Sequence, residues 1–166
     1  MAVQKKLNKL LDLLKQHYPL TQAEVLQILK QKEKEEKEQQ ACFIPVSLFT
    51  AVPVSSLEAI TLYLREEKKL KFSEMAAILG RNEIALSTSY RNARKKYTQS
   101  LDISESKQYI PAIIFRNRTC SVLETIVLYL KKEYLLHNVK IAKLLGKDPR
   151  TIWTVVQRIK NKGVKL

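Results

Sequence analysis

Residues 121–146 read SVLETIVLYLKKEYLLHNVKIAKLLG, and residues 55–80 read SSLEAITLYLREEKKLKFSEMAAILG. Laid over one another at an offset of 66, they share Ser121, Leu123, Glu124, Ile126, Leu128, Tyr129, Leu130, Ala142, Leu145 and Gly146 with Ser55, Leu57, Glu58, Ile60, Leu62, Tyr63, Leu64, Ala76, Leu79 and Gly80. The same register runs without a gap from Ile44-Pro45 over Ile110-Pro111 as far as residue 96, with 17 of 53 positions identical. Chance does not sustain an ungapped register over that length, so the chain contains a duplicated module.

Each copy predicts three helices. Ser55-x-x-Glu58 and Ser121-x-x-Glu124 are capping boxes, in which hydroxyl and carboxylate satisfy backbone donors that a helix start leaves orphaned. Apolar residues at 57, 60 and 64, and again at 123, 126, 127 and 130, then follow helical spacing. A short second helix is predicted over 73–79 and 139–145, ended by Gly80 and Gly146, which permit a left-handed stop. Asn82 and Asp148 are good N-caps for a third helix, and Pro149 stands at the favoured first helical position. The segments 43–49 and 109–115 are short, apolar and contain Pro. They read equally well as extended arms or as an initial turn laid across the core.

Residues 1–40 differ from the repeats. Leu7, Leu10, Leu11, Leu13 and Leu14 share one helical face, Pro19 breaks that helix, and Thr21-x-x-Glu24 starts another. The run 30–40 is almost wholly charged or polar and reads as a solvated helix or linker. The expectation is an all-α protein: two tandem three-helix helix-turn-helix units preceded by an N-terminal helical hairpin. Its parts are the hairpin and charged linker 1–40, repeat one 41–98, a linker 99–109 and repeat two 110–166. Two short helices bury too little to be stable alone, so 1–40 is expected to pack on the repeats, on a second copy or on a protein partner.

Charge supplies the first indication of function. The chain carries a formal net charge of +14 with pI near 9.8, a surplus that usually answers a polyanion, nucleic acid above all. Residues 102–166 hold 13 basic against 5 acidic side chains, whereas 1–40 hold 8 against 6, so the surplus grows toward the C-terminus. Cys42 and Cys120 lack CxxC spacing and a neighbouring His cluster, which argues for small hydrophobes rather than zinc ligands or a disulfide. No apolar run reaches membrane-spanning length. The expectation is a cytoplasmic, nucleoid-associated protein with no cofactor and no metal.

A helix-turn-helix needs a small residue where its helices cross, a Gly in the turn four residues later, and apolar residues inside the second helix. Repeat two supplies Ala142, Gly146, Ile152 and Val155. Repeat one supplies Met75, Ala76, Leu79, Gly80 and Leu86, with Ser89 where Val155 stands in repeat two. Glu74-Met75-Ala76-x-x-Leu79-Gly80-Arg81-Asn82 and the stretch Lys140-Ile141-Ala142-Lys143-Leu144-Leu145-Gly146-Lys147-Asp148-Pro149-Arg150-Thr151-Ile152 resemble the helix-turn-helix of region 4 of bacterial sigma factors. They are also similar to response-regulator output domains. The likeness covers 55–96 and 121–162, and a turn position usually apolar in those families carries Arg81 or Lys147 here. What the resemblance implies is a last helix that contacts DNA.

With Ile152, Val155 and Ile159 inward, the helical period turns Arg150, Thr151, Trp153, Thr154, Gln157 and Arg158 outward. Arg bonds guanine bidentately, Gln pairs with adenine, and Thr meets the thymine methyl. A lone Trp is more often packed than set against bases, so Trp153 stands apart in this group. Lys143, Lys147, Lys160 and Lys162 suit phosphates, which add affinity without sequence information. In repeat one the last helix begins Glu83-Ile84-Ala85, a poorer start for a DNA reader. Arg81, Ser87, Thr88, Arg91 and Asn92 remain candidates there, with Arg94, Lys95 and Lys96 for the backbone.

The expected function is sequence-specific binding of double-stranded DNA by a transcriptional regulator. A helical protein adaptor and a non-specific nucleoid-packaging protein are the alternatives. RNA binding would favour exposed stacking aromatics, whereas Tyr63 and Tyr129 fall on inner helix faces. An enzyme is not expected: His17 and His137 sit in unrelated contexts, and glycines at 80, 146 and 163 build no phosphate-cradling loop. The duplication predicts a covalent pseudo-dimer, with the polar stretch 97–108 long enough to permit several relative orientations.

Overall fold

Two three-residue strands, β1 (Phe43–Pro45) and β2 (Tyr109–Pro111), pair antiparallel with Phe43 opposite Pro111, Ile44 opposite Ile110 and Pro45 opposite Tyr109. Every residue therefore pairs with the repeat equivalent of its mirror position, as in the isologous contact of a two-fold dimer. Bonds outside the strands keep the symmetry. Val46 N–H donates to the Gln108 carbonyl at 3.0 Å, and its counterpart Ala112 N–H donates to the Cys42 carbonyl at 2.8 Å. Such a small ladder is marginal by itself. It holds because Ile44 and Ile110 are completely buried.

This computed structural model describes Gln27 and residues 42–103 and 106–165. The expected hairpin and linker of residues 1–40 lie outside the described residues. Described helices follow the duplication: α1 (Leu48–Ala51), α2 (Ser56–Glu66), α3 (Phe72–Leu79) and α4 (Glu83–Lys96) in the first copy. The second copy has a 3-10 helix (Ala112–Arg116) in place of α1, then α5 (Val122–Lys132), α6 (Asn138–Leu144) and α7 (Pro149–Asn161). The architecture is mostly helical, with this one two-stranded ladder among the described residues.

Local chemistry sets each boundary. Both capping boxes form: Ser55 N–H donates to Glu58 Oε2 at 2.9 Å, and Ser121 N–H to Glu124 Oε2 at 2.8 Å. Asn82 caps α4 through Ile84 N–H, and Asp148 caps α7 through Arg150 N–H. Gly80 (φ 60°) and Gly146 (φ 57°) end the second helices in the left-handed region. The N–H one residue further on then reaches back, Arg81 to the Ala76 carbonyl at 3.2 Å and Lys147 to that of Ala142 at 2.9 Å.

The pre-helix segments turn out to be both extended arm and initial turn. Having crossed at the ladder, each arm reaches the other copy. The 3-10 helix of the second copy packs on α3 of the first. Thr50, at the end of the first copy's arm, donates its hydroxyl to the Leu144 carbonyl of α6 at 2.8 Å. Residues Gln39–Leu166 consequently form one compact unit with a shared core. The several orientations expected of the 97–108 stretch are not available, because ladder and arms lock the repeats together. Leu101 and Ile103 from that stretch are half-buried against the shared core.

Candidate nucleic-acid interface

Helix α7 is built to present one face. Ile152, Val155, Val156 and Ile159 are buried, the first and last completely, and fix the helix against α5 and α6. Arg150, Thr151, Trp153, Thr154, Arg158 and Lys160 are all exposed, while Gln157 is half-buried. Trp153 is 58% exposed and so is not packed into the core. The helix contains no carboxylate, and Asp148, just before it, is occupied as the N-cap. Thr154 donates its hydroxyl proton to the Arg150 carbonyl at 3.0 Å.

Around α7, Lys143 and Lys147 are exposed and join no ion pair among the described residues. Lys143, Lys140 and Lys107 line a cleft of about 570 Å³ between α6 and the first copy's arm. Lys162 differs from its expected role. Its ammonium lies 2.6 Å from Glu124 Oε2, a nearly buried carboxylate, and 3.2 Å from the Thr119 carbonyl. Lys96 does the same in the first copy, 2.8 Å from Glu58 Oε1.

Those two carboxylates belong to the capping boxes, so each Glu ties a helix start to the far end of the last helix. Burial by itself raises their pKa. The Lys96 and Lys162 ammonium groups and the Ser55 and Ser121 donors outweigh it, and both carboxyls titrate below their ordinary value. The signal for these pairs was in the sequence, since Glu58/Glu124 and Lys96/Lys162 are both identities of the repeat. Arg94 is likewise engaged, with Nε 3.2 Å from Glu66 Oε1 and a second nitrogen 2.9 Å from the Gln99 carbonyl.

In α4, Leu86 and Ala93 are buried and Thr88, Arg91, Asn92 and Lys95 are exposed, with Ser87 half-buried. Ile84 is 74% exposed beside Glu83, so the start of this helix offers an apolar and an acidic group. Arg81, in the turn before it, is half-buried, and its Nε is buried without a hydrogen-bond partner. Burial lowers its pKa, and the charge of Arg118 lowers it further. Sequence reading overlooked Arg116 and Arg118, because nothing in the linear chain places them beside the other copy's turn.

Cys42 and Cys120 are free and half-buried, with burial pushing both thiols up. Among the described residues no group of three His, Cys, Asp or Glu side chains could hold a metal, and no helix is long and apolar enough to cross a membrane. Comparison with protein-family models, with curated proteins and with solved structures gave no match.

Proposed function

We propose that this chain binds double-stranded DNA sequence-specifically, as a transcriptional regulator. In this reading α3–α4 and α6–α7 are two helix-turn-helix units, α7 is the principal reader in the major groove, and α4 is the more tolerant one. The observation that carries it is the acid-free outer face of α7. Arg150, Thr151, Trp153, Thr154 and Arg158 are exposed on a helix whose opposite side is held by four buried aliphatic residues. A side chain reads a base only if its helix is held rigidly, and these contacts supply the rigidity. Lys143, Lys147 and Lys160 supply the rim that contacts phosphates.

Selection of binding sites from random duplex DNA tests the proposal. An enriched motif whose affinity falls steeply with salt is the expected result, because each neutralised phosphate releases counterions. Uniform, salt-sensitive binding would make the protein a packaging factor instead. No binding at low salt would favour the second reading, protein contact, for which exposed Ile84 is the specific observation.

A further inference from the structure

The two copies differ most usefully where each touches the other. A β-carbon on Gly80 would stand 2.8 Å from Arg116 Cγ and 3.2 Å from the Arg116 carbonyl oxygen. The symmetric position, Gly146, meets Thr50, the residue 66 positions before Arg116. Arg118 likewise corresponds to Val52. So the arm that packs on the first copy's turn carries two arginines, and the arm on the second copy's turn carries neutral residues.

Each turn leads into a last helix, and the need for charge there is unequal. Both last helices follow a cation, Lys147 before α7 and its repeat equivalent Arg81 before α4, but only α7 carries another, Arg150, in its first turn. Helix α4 opens with Glu83, Ile84 and Ala85, so a phosphate near that end would meet a carboxylate and no cation of the helix itself. Arg81 immediately precedes that end, Arg116 packs on Gly80 beside it, and Arg118 follows two residues on in the same arm. Arg116 and Arg118 are exposed, and none of the three forms an ion pair among the described residues. Arg118 is close enough for its charge to act on Arg81, whose Nε is buried and unpartnered. Guanidiniums that no carboxylate pairs repel one another until an anion joins them, and their planar donors match phosphate oxygens bidentately.

We infer that Arg116 and Arg118, with Arg81, form a DNA-phosphate site that the second copy's arm supplies in trans to the start of α4. The duplication has thereby divided its labour: one last helix carries a cation in its own first turn, and the other supplements Arg81 with two arginines from across the pseudo-two-fold. This inference rests on the DNA-binding reading, and the full-length chain tests the two separately.

The measurement is equilibrium binding of a selected duplex from about 50 to 300 mM salt, with wild type, Arg118→Ala, Arg116→Ala/Arg118→Ala, and the double Lys variant. One lost phosphate contact lowers the slope of log affinity against log salt by about one. Arg118→Ala should therefore be shallower by about one and the double Ala variant by about two, with the Lys variant largely restored. Hydroxyl-radical footprints should lose protection at one end of the site only, with the base preference kept. Arg118 is exposed, so its variant reads out even if Arg116→Ala disturbs the packing on Gly80. Wild-type binding with unchanged slopes in the Ala variants would overturn the inference and leave DNA binding standing. Failure of the wild type to bind any duplex would overturn both. Saturation of these arginines by tripolyphosphate, with DNA slopes unaffected, would reassign the site to a small anion.

Discussion

Ile44 faces Ile110 across the two-stranded ladder, and each is the other's equivalent in the 66-residue repeat. A pseudo-two-fold axis therefore passes between these side chains, both completely buried. A homodimer obtains this kind of self-matching contact from two chains; here it closes within one, at no cost in association entropy. Because each arm then packs on the opposite copy, neither repeat has a complete core without the other.

That dependence makes the repeats one cooperative unit. Ile44→Ala removes a fully buried aliphatic side chain, a change that typically costs about 2–5 kcal/mol. Native-state hydrogen exchange should show core amides of α5, in the second repeat, accelerating as much as those of α2 in the first. Acceleration confined to α2 would mean that the repeats open independently.

The left-handed turns should rank in stability according to what lies over them. An alanine at either glycine pays about 1–2 kcal/mol for its left-handed backbone. At Gly146 the added carbon meets Thr50 Cγ2 at 3.3 Å, a side-chain methyl that can shift slightly. At Gly80 it meets Arg116 backbone atoms at 3.2 and 3.3 Å, so the 3-10 helix itself must move. Denaturant midpoints should fall further for Gly80→Ala than for Gly146→Ala. Equal losses would show that the second arm yields freely.

What was legible in the sequence is what is decided locally. Ser55, Ser121, Asn82, Asp148, Gly80 and Gly146 act within four residues of themselves, and their roles as caps and stops were readable from spacing. The inward set Ile152, Val155 and Ile159 followed from the helical period. The arm crossing was not legible, since three-residue strands carry too little alternation to name a partner and both arms are equally apolar. For the same reason Lys162 reads as free for phosphate: its partner Glu124 lies 38 residues away and also serves as the capping carboxylate. Arg116 and Arg118 gain meaning only once the arm is seen to lie on the other copy's turn.

The Glu58–Lys96 and Glu124–Lys162 pairs should set the acid limit of stability. Their carboxyls are depressed in the folded chain, so their contribution is fully present above the unfolded value near about 4.3 and is lost as pH falls through the folded value. The lysines are half exposed to water, which limits each pair and cap to about 1 kcal/mol. The Glu58→Gln/Glu124→Gln variant should lose about 2 kcal/mol at pH 7 and show a shallower decline in stability from pH 5 to 3. Parallel pH curves for variant and wild type would mean that other carboxylates control the acid transition.

Three substitutions on or beside α7 should separate reading, holding and folding. Arg150 is exposed in the first turn and unpaired, so Arg150→Ala should cost about 1–3 kcal/mol on a selected site and much less on random duplex. Lys143 lies outside α7, at the end of α6, and Lys143→Ala should weaken both duplexes about equally while reducing the salt slope by about one. Lys162→Ala should behave unlike either. Its ammonium is committed to Glu124 and the Thr119 carbonyl, so the substitution leaves a nearly buried carboxylate without its cation. The expected result is a lower denaturation midpoint with salt slope and base preference near wild type. Should Lys162→Ala instead match Lys143→Ala in slope and leave the midpoint unmoved, the ion pair exchanges for phosphate on binding, and Lys162 belongs to the DNA surface after all.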